Sequence, residues 1–173
     1  MANLWAFIDE SKSRDYVVVA THVPEDRFSE IRKGLNSLRM TGQRRIHFVD
    51  ESNTNRLRIL RYMERLELDV RVWVATGLHP VEARGVLLNE MFRSLMNENV
   101  TVYLLERDET VSADDLKVFT HVRGALTQQS PSRLLFLSSS QEPLLWISDA
   151  YAWSFQRGGD WRNRITVRMQ QLS

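Results

Sequence analysis

The sequence contains no cysteine, and only seven glycines and four prolines occur among its 173 residues. The lack of cysteine excludes disulfides, thiolate metal sites and cysteine nucleophiles, and it suits a reducing cytoplasm. So few glycines and prolines argue against a linker-rich or multi-module chain. Hydrophobic residues make up 43% of the sequence, close to the globular average, so we expect one domain, 1–173, with a substantial core.

Long apolar runs and an excess of one charge are also missing. No stretch approaches the roughly 20 apolar residues that span a bilayer, and the N-terminus lacks the pattern of a signal peptide. The formal net charge is +1, which gives no global electrostatic argument for a nucleic-acid or membrane partner. We therefore expect a cytoplasmic protein without a membrane partner, and a nucleic-acid partner has to be argued from local patches.

Motifs of several common enzyme classes are absent from the sequence. It has neither GxGxxG nor GxxxxGK[ST], which disfavours a Rossmann or P-loop enzyme and a doubly wound small-molecule binder. It has no GxSxG nucleophile elbow and no HExxH zinc motif. The four histidines are scattered and are typical of structural or surface residues. His47 is the one histidine that we keep as a candidate, because it lies near Asp50 and Glu51.

The apolar patterns alternate between short β-branched runs and amphipathic stretches, which predicts a mixed α/β fold with helices packed on a sheet. The first two strands are predicted to form an antiparallel hairpin. Strands are predicted at 4–8, 16–20, 45–49, Asp69–Ala75, 100–105 and Arg133–Leu137. Helices are predicted to open at Pro24 and Pro80, to end near Leu66, to begin at a Ser112 capping box, and to occupy part of 143–157.

Carboxylates follow two of the apolar runs directly. Asp9 and Glu10 follow the apolar run LWAFI and precede Ser11, and Glu106 follows the run VTVYLL. Asp149 sits among large apolar residues of the last helix, where an inward carboxylate needs a cation or a hydrogen-bond donor. Taken alone, the strand end at Asp9 and Glu10 is more typical of a solvated turn. Taken together, acids from two strand ends and a helix are the ligands that Mg²⁺ or Mn²⁺ prefers.

Four segments resemble, in order along nearly the whole chain, a bacterial and phage-borne family of unknown function with a ribonuclease-H-like fold. The segments are FIDES, RIHFVDES, VTVYLLERD and EPLLWISDAYAWSFQRGGDWRNRI. The last of them is most similar to a short actinobacterial-type branch of that family. The resemblance implies a ribonuclease-H-like mixed sheet with flanking helices.

The resemblance also implies a set of site residues. Asp9, Glu106 and Asp149 match the acids that hold Mg²⁺ or Mn²⁺ in ribonuclease-H-like enzymes, and Glu10 matches the second acid of the first motif. Two positions depart from the family pattern: Lys12 stands where a glycine is usual, and Glu106 stands where an aspartate is usual. Lys12 can pair with a phosphate or neutralise a carboxylate, and the longer Glu106 leaves the number of metal ions open.

Arginines supply the last pattern, at 44–45, 56–61 and 157–168. They suit phosphate contacts, with Trp153 and Trp161 as stacking faces, but they also suit a solvated surface balanced by nearby acids. The leading hypothesis is a metal-dependent nuclease that uses Asp9, Glu106 and Asp149, with Glu10 or Glu51 in support. The alternative is a catalytically inactive ribonuclease-H-like module that binds nucleic acid or a protein partner.

Overall fold

A computed structural model describes residues 2–126 and 131–172, which form six strands and six α-helices. The strands are β1 (Leu4–Ser11), β2 (Tyr16–Pro24), β3 (Asp69–Ala75), β4 (Val100–Glu106), β5 (Arg133–Leu137) and β6 (Arg168–Leu172). The helices are α1 (Phe28–Ser37), α2 (Asn53–Arg65), α3 (Pro80–Met96), α4 (Ser112–Ala125), α5 (Leu145–Arg157) and α6 (Gly159–Asn163). None of these helices is long and apolar enough to cross a membrane.

The strands form one mixed sheet in the order β5-β4-β1-β2-β3-β6. β1, β2 and β3 are antiparallel neighbours, which confirms the predicted hairpin. β4 runs parallel to β1, β5 parallel to β4, and β6 parallel to β3. Because β1 and β4 are parallel and adjacent at the centre of the sheet, their carboxyl ends meet at the same edge.

Successive side chains of the central strands enter two separate cores. Phe7 of β1 and Leu104 of β4 face a core that is closed by α1, α2 and α5. Ile8 and Leu105, one position along each strand, face a core that is closed by α3 and α4. The sheet is therefore covered on both sides, and the end of β1 lies between two helical layers.

Residues 45–49 do not form the predicted strand. The segment is irregular and leads into a single 3₁₀ turn, Phe48–Asp50. Its alternating pattern has another origin, since Ile46 and Phe48 are buried in the core from a loop. The N–H of Phe48 donates to the side chain of Asp149 at 2.8 Å, so a carboxylate satisfies it.

The tail contains a strand that the sequence did not predict. β6 pairs with β3 at the edge of the sheet, and most of its residues are exposed, so no apolar periodicity marks it. Other boundaries also differ from the predictions. β2 continues to Pro24, and a 3₁₀ turn over Glu25–Arg27 separates it from α1. The last long helix begins at Leu145, and α4 has Val111 at its N-cap, without a side-chain cap.

Candidate functional site

Asp9 and Glu106 lie next to each other at the carboxyl edge of the sheet. Ile8 of β1 pairs with Leu105 of β4, and the two acids are the next residues on their strands. Strand alternation places both acids on the face of Phe7, the face that α5 covers. Both are partly exposed, as expected at the end of a buried strand.

Asp149 is positioned by the attachment of α5 to the centre of the sheet. The buried hydroxyl of Ser148 donates to the carbonyl of Phe7 at 2.7 Å, and it lies 2.7 Å from the hydroxyl of Thr21. These contacts fix the turn of α5 that carries Asp149 over the end of β1. The donor that the sequence argument required for an inward Asp149 is the N–H of Phe48.

The three acids interact electrostatically. The pKa of Asp9 is raised well above its ordinary value, first by burial and then by the negative charges of Asp149 and Glu106. Arg45 and Arg84 oppose this shift. The pKa of Asp149 is also raised, chiefly by burial, with Phe48 as the main opposing donor. The carboxylates are therefore close enough to disfavour simultaneous ionisation.

Each acid is held through one oxygen only. The Oδ1 atom of Asp9 accepts a hydrogen bond from the N–H of Glu10 at 2.8 Å. The Oε1 atom of Glu106 accepts from the Ser139 hydroxyl at 2.7 Å and from Arg45 at 3.1 Å. Asp149 accepts through Oδ2. Within the described residues, the second oxygen of each acid has no hydrogen-bond donor, which leaves one oxygen on each for a ligand.

The donor chemistry of this edge suits a hard divalent cation, because all three groups offer carboxylate oxygens. A ready metal site is not formed, however: residues 2–126 and 131–172 contain no group of three or more acidic, histidine or cysteine side chains arranged to hold an ion. The carboxylates of Asp9, Glu106 and Asp149 thus have the chemistry of metal ligands, but Arg45 balances part of their negative charge.

Glu10 contacts other partners, on the side of the sheet that α3 covers. Its carboxylate forms an ion pair with Arg84 and accepts a hydrogen bond from the Tyr16 hydroxyl. Lys12, which stands at the usual glycine position, lies 3.4 Å from the other oxygen of Glu10. Lys12 therefore neutralises a carboxylate, one of the two roles considered for it. A role for Glu10 in catalysis stays a prediction.

Arg84 links Glu10 to a buried aspartate on α4. Its guanidinium donates to both oxygens of Asp115, at 2.8 and 2.7 Å, and the Asp115 side chain is 3% exposed. Sequence reasoning missed this pair. A signal was present, since Asp115 shares a helical face with the buried Phe119 and Val122, where a charged side chain needs a partner.

Two cavities flank the end of β1. One, of about 440 Å³, lies towards α3, and we call it the α3-side cavity. Its walls combine apolar Ile8 and Leu88 with Asp9, Glu106 and Arg84. The other, of about 450 Å³, lies along α5, and we call it the α5-side cavity. Among the residues that line it are Glu10, Arg14, His47, Asp149, Trp153 and Arg157.

The remaining sequence candidates are dispersed. The Nδ1 atom of His47 lies 2.9 Å from Asp50, and the side chain of Glu51 accepts from Gln43 and Asn55. The arginines of the tail do not form one patch. Arg168 pairs with Asp69, and Arg162 lies over the ring of Phe155. Among the arginines at 157–168, only Arg157 lines the α5-side cavity.

At the level of sequence, no protein-family profile and no curated protein matches the chain, so the suspected family gains no direct support. At the level of structure, the chain is similar to one in the structure of the PCNA:RNase HII complex from Archaeoglobus fulgidus. The similarity has a TM-score of 0.57 at 12% identity, and it covers 89% of this chain and 73% of that chain. The fold is therefore ribonuclease-H-like, a mixed sheet with flanking helices, as the resemblance implied.

Proposed function

We propose that the protein is a nuclease that hydrolyses phosphodiesters with Mg²⁺ or Mn²⁺ bound by Asp9, Glu106 and Asp149. The observation that supports this most directly is the crowding of the three acids at one edge of the sheet, where burial first and then the charges of Asp149 and Glu106 raise the pKa of Asp9. Neighbouring carboxylates repel each other and destabilise a protein unless a cation binds between them. A bound metal ion is therefore the simplest explanation for the three acids. The resemblance to a ribonuclease-H-like solved structure is consistent with this proposal.

The roles of the chain's own groups follow from their contacts. A bound ion would supply an activated water and balance the charge of the leaving oxygen. Each acid would offer the oxygen that has no donor, while its other oxygen keeps the protein contact that orients it. Arg45 is 36% exposed and reaches Glu106, so its guanidinium can also contact a phosphate of the substrate.

A second function is favoured by a specific observation. Arg45 already pairs with Glu106 and Arg84 with Glu10, so protein cations neutralise part of the acidic edge. The same contacts would be expected in a descendant of the fold that has lost the metal and binds nucleic acid or a protein partner.

Melting curves with and without millimolar Mn²⁺ separate the two functions. A metal site raises the melting temperature of the wild type and leaves Asp9→Asn unchanged. Cleavage of labelled single-stranded, duplex and hybrid substrates then tests activity, with Asp9→Asn as the matched control. A wild type that ignores Mn²⁺ and cuts no better than Asp9→Asn would show that the nuclease proposal is wrong and favour the inactive module.

A further inference from the structure

Two arginines that line the α5-side cavity have no hydrogen-bond or ion-pair partner among the described residues. Arg14, in the turn between β1 and β2, and Arg157, at the end of α5, both line it and are exposed. Neither forms a hydrogen bond or an ion pair with another residue of 2–126 or 131–172. Two guanidinium groups without a protein partner, both lining one concave surface, suit phosphates of a nucleic-acid backbone.

The position of Arg14 is set by a contact between the turn and α5. The side-chain amide of Gln156, which is buried, donates to the carbonyls of Ser11 and Asp15 at 3.2 and 2.7 Å. These bonds attach both ends of the turn to α5. The turn that carries Arg14 is therefore fixed next to the end of α5, where Arg157 lies.

Trp153 adds an aromatic surface to the same cavity. The ring is half-buried and is held by three neighbours. The guanidinium of Arg56 lies 4.3 Å from its centroid, and Phe48 and Trp161 each pack edge-on at 5.3 Å. A ring that is fixed in this way loses little freedom when a base stacks on it.

The two cavities differ in charge, which decides between them. The α3-side cavity has acidic residues at 9, 10, 106, 108 and 109 against two arginines, Arg84, which is paired with Asp115, and Arg107, which donates to the carbonyl of Phe136. Without a bound cation, this excess of acids disfavours a polyanion in the α3-side cavity. The α5-side cavity has Arg14 and Arg157 against two acids, Glu10, which is paired with Arg84, and Asp149, through which the cavity reaches the candidate site.

We propose that the α5-side cavity binds single-stranded nucleic acid, with backbone phosphates on Arg14 and Arg157 and one base against Trp153. A base inside a duplex is already stacked on its neighbours and cannot enter a concave pocket of this size, whereas an unpaired base can. The inference rests on the proposed function for the course of the strand towards Asp149. The binding itself does not depend on hydrolysis.

The test is fluorescence anisotropy of a labelled single strand in EDTA, where cleavage cannot occur. We expect Arg14→Ala/Arg157→Ala to weaken binding about tenfold at low salt and to reduce the salt slope by about 1.4, the value for two phosphate contacts of a single strand. Trp153→Phe, which keeps an aromatic ring in the packed position, is expected to weaken binding about twofold to fivefold. The matched control is Arg61→Ala/Arg65→Ala, which removes two exposed arginines of α2 outside this cavity.

Deoxyribose and ribose strands are measured in parallel, together with the corresponding duplexes. Equal losses in the cavity and control variants, or tighter binding of the duplex, would overturn the inference. Binding that needs Arg14 and Arg157 without any Mn²⁺-dependent cleavage would support it while the nuclease proposal fails. Cleavage that is unaffected by Arg14→Ala/Arg157→Ala would support the nuclease proposal while this inference fails.

Discussion

Asp9→Asn is expected to stabilise the metal-free protein at neutral pH. The pKa of Asp9 is raised in the folded protein, because its partly exposed carboxylate loses much of its solvation at the end of β1 and lies near the charges of Asp149 and Glu106. A raised pKa means that the folded state binds the proton more tightly than the unfolded state. The stability that this proton contributes is complete below the unfolded pKa of about 4 and is lost as the pH rises through the folded pKa. Asparagine is neutral throughout and avoids that loss.

The size of the effect follows from one proton. Between the unfolded and folded pKa values of Asp9, the free energy of unfolding of the wild type should fall, relative to that of Asp9→Asn, by up to about 1.4 kcal/mol per pH unit. Asp149, whose pKa is also raised, can share the proton and spread the loss over a wider range. Above the folded pKa the difference should become constant, with the variant the more stable protein.

Urea unfolding followed by tryptophan fluorescence, repeated across a pH series from about 4 to 9, measures this difference. Asp114→Asn is the matched control, since Asp114 is an exposed aspartate whose pKa is lowered by its hydrogen bond with Lys117. Its variant should show no gain as the pH rises. Addition of Mn²⁺ at about 100 times its dissociation constant should reverse the order by stabilising the wild type by about 2.7 kcal/mol. A variant that is less stable than the wild type at pH 8 in EDTA would refute the electrostatic reasoning.

Three further substitutions test the supports of the site. Asp115→Ala removes the buried partner of Arg84 and leaves its guanidinium with Glu10 and Tyr16 only. We expect the free energy of unfolding, measured with urea, to fall by about 3 kcal/mol. The double variant Asp115→Leu/Arg84→Met should recover most of that loss. Ser148→Ala removes two buried hydrogen bonds between α5 and the sheet, and we expect a loss of about 2 kcal/mol together with weaker stabilisation by Mn²⁺. Arg45→Gln removes the cation beside Glu106, so half-maximal thermal stabilisation should occur at a roughly threefold to tenfold lower Mn²⁺ concentration; an unchanged midpoint would show that Arg45 does not compete with the ion.

The sequence predicted the central strands and the acids at their ends because local pattern determines both. β3 and β5 were predicted with the bounds that the structure gives them, and α3 begins at Pro80 as predicted. The failures have physical causes. Residues 45–49 alternate because a loop buries Ile46 and Phe48, and period two does not distinguish a strand from such a loop. β6 is an exposed edge strand whose pairing with β3 is long-range, so its own residues carry no signal.

The cations of the candidate site are harder to predict than its acids. An acid at the end of a buried strand is placed by the strand, whereas Arg45 reaches Glu106 from a loop and Arg84 reaches Glu10 from a helix on the other side of the sheet. These two arginines decide how much negative charge remains for a metal. The two sides are not equivalent, since Arg84 is fixed by the buried Asp115 while Arg45 is partly exposed and contacts a single acid. We therefore expect an incoming cation to displace the side chain of Arg45 from Glu106 before it affects the pairing of Arg84 with Glu10.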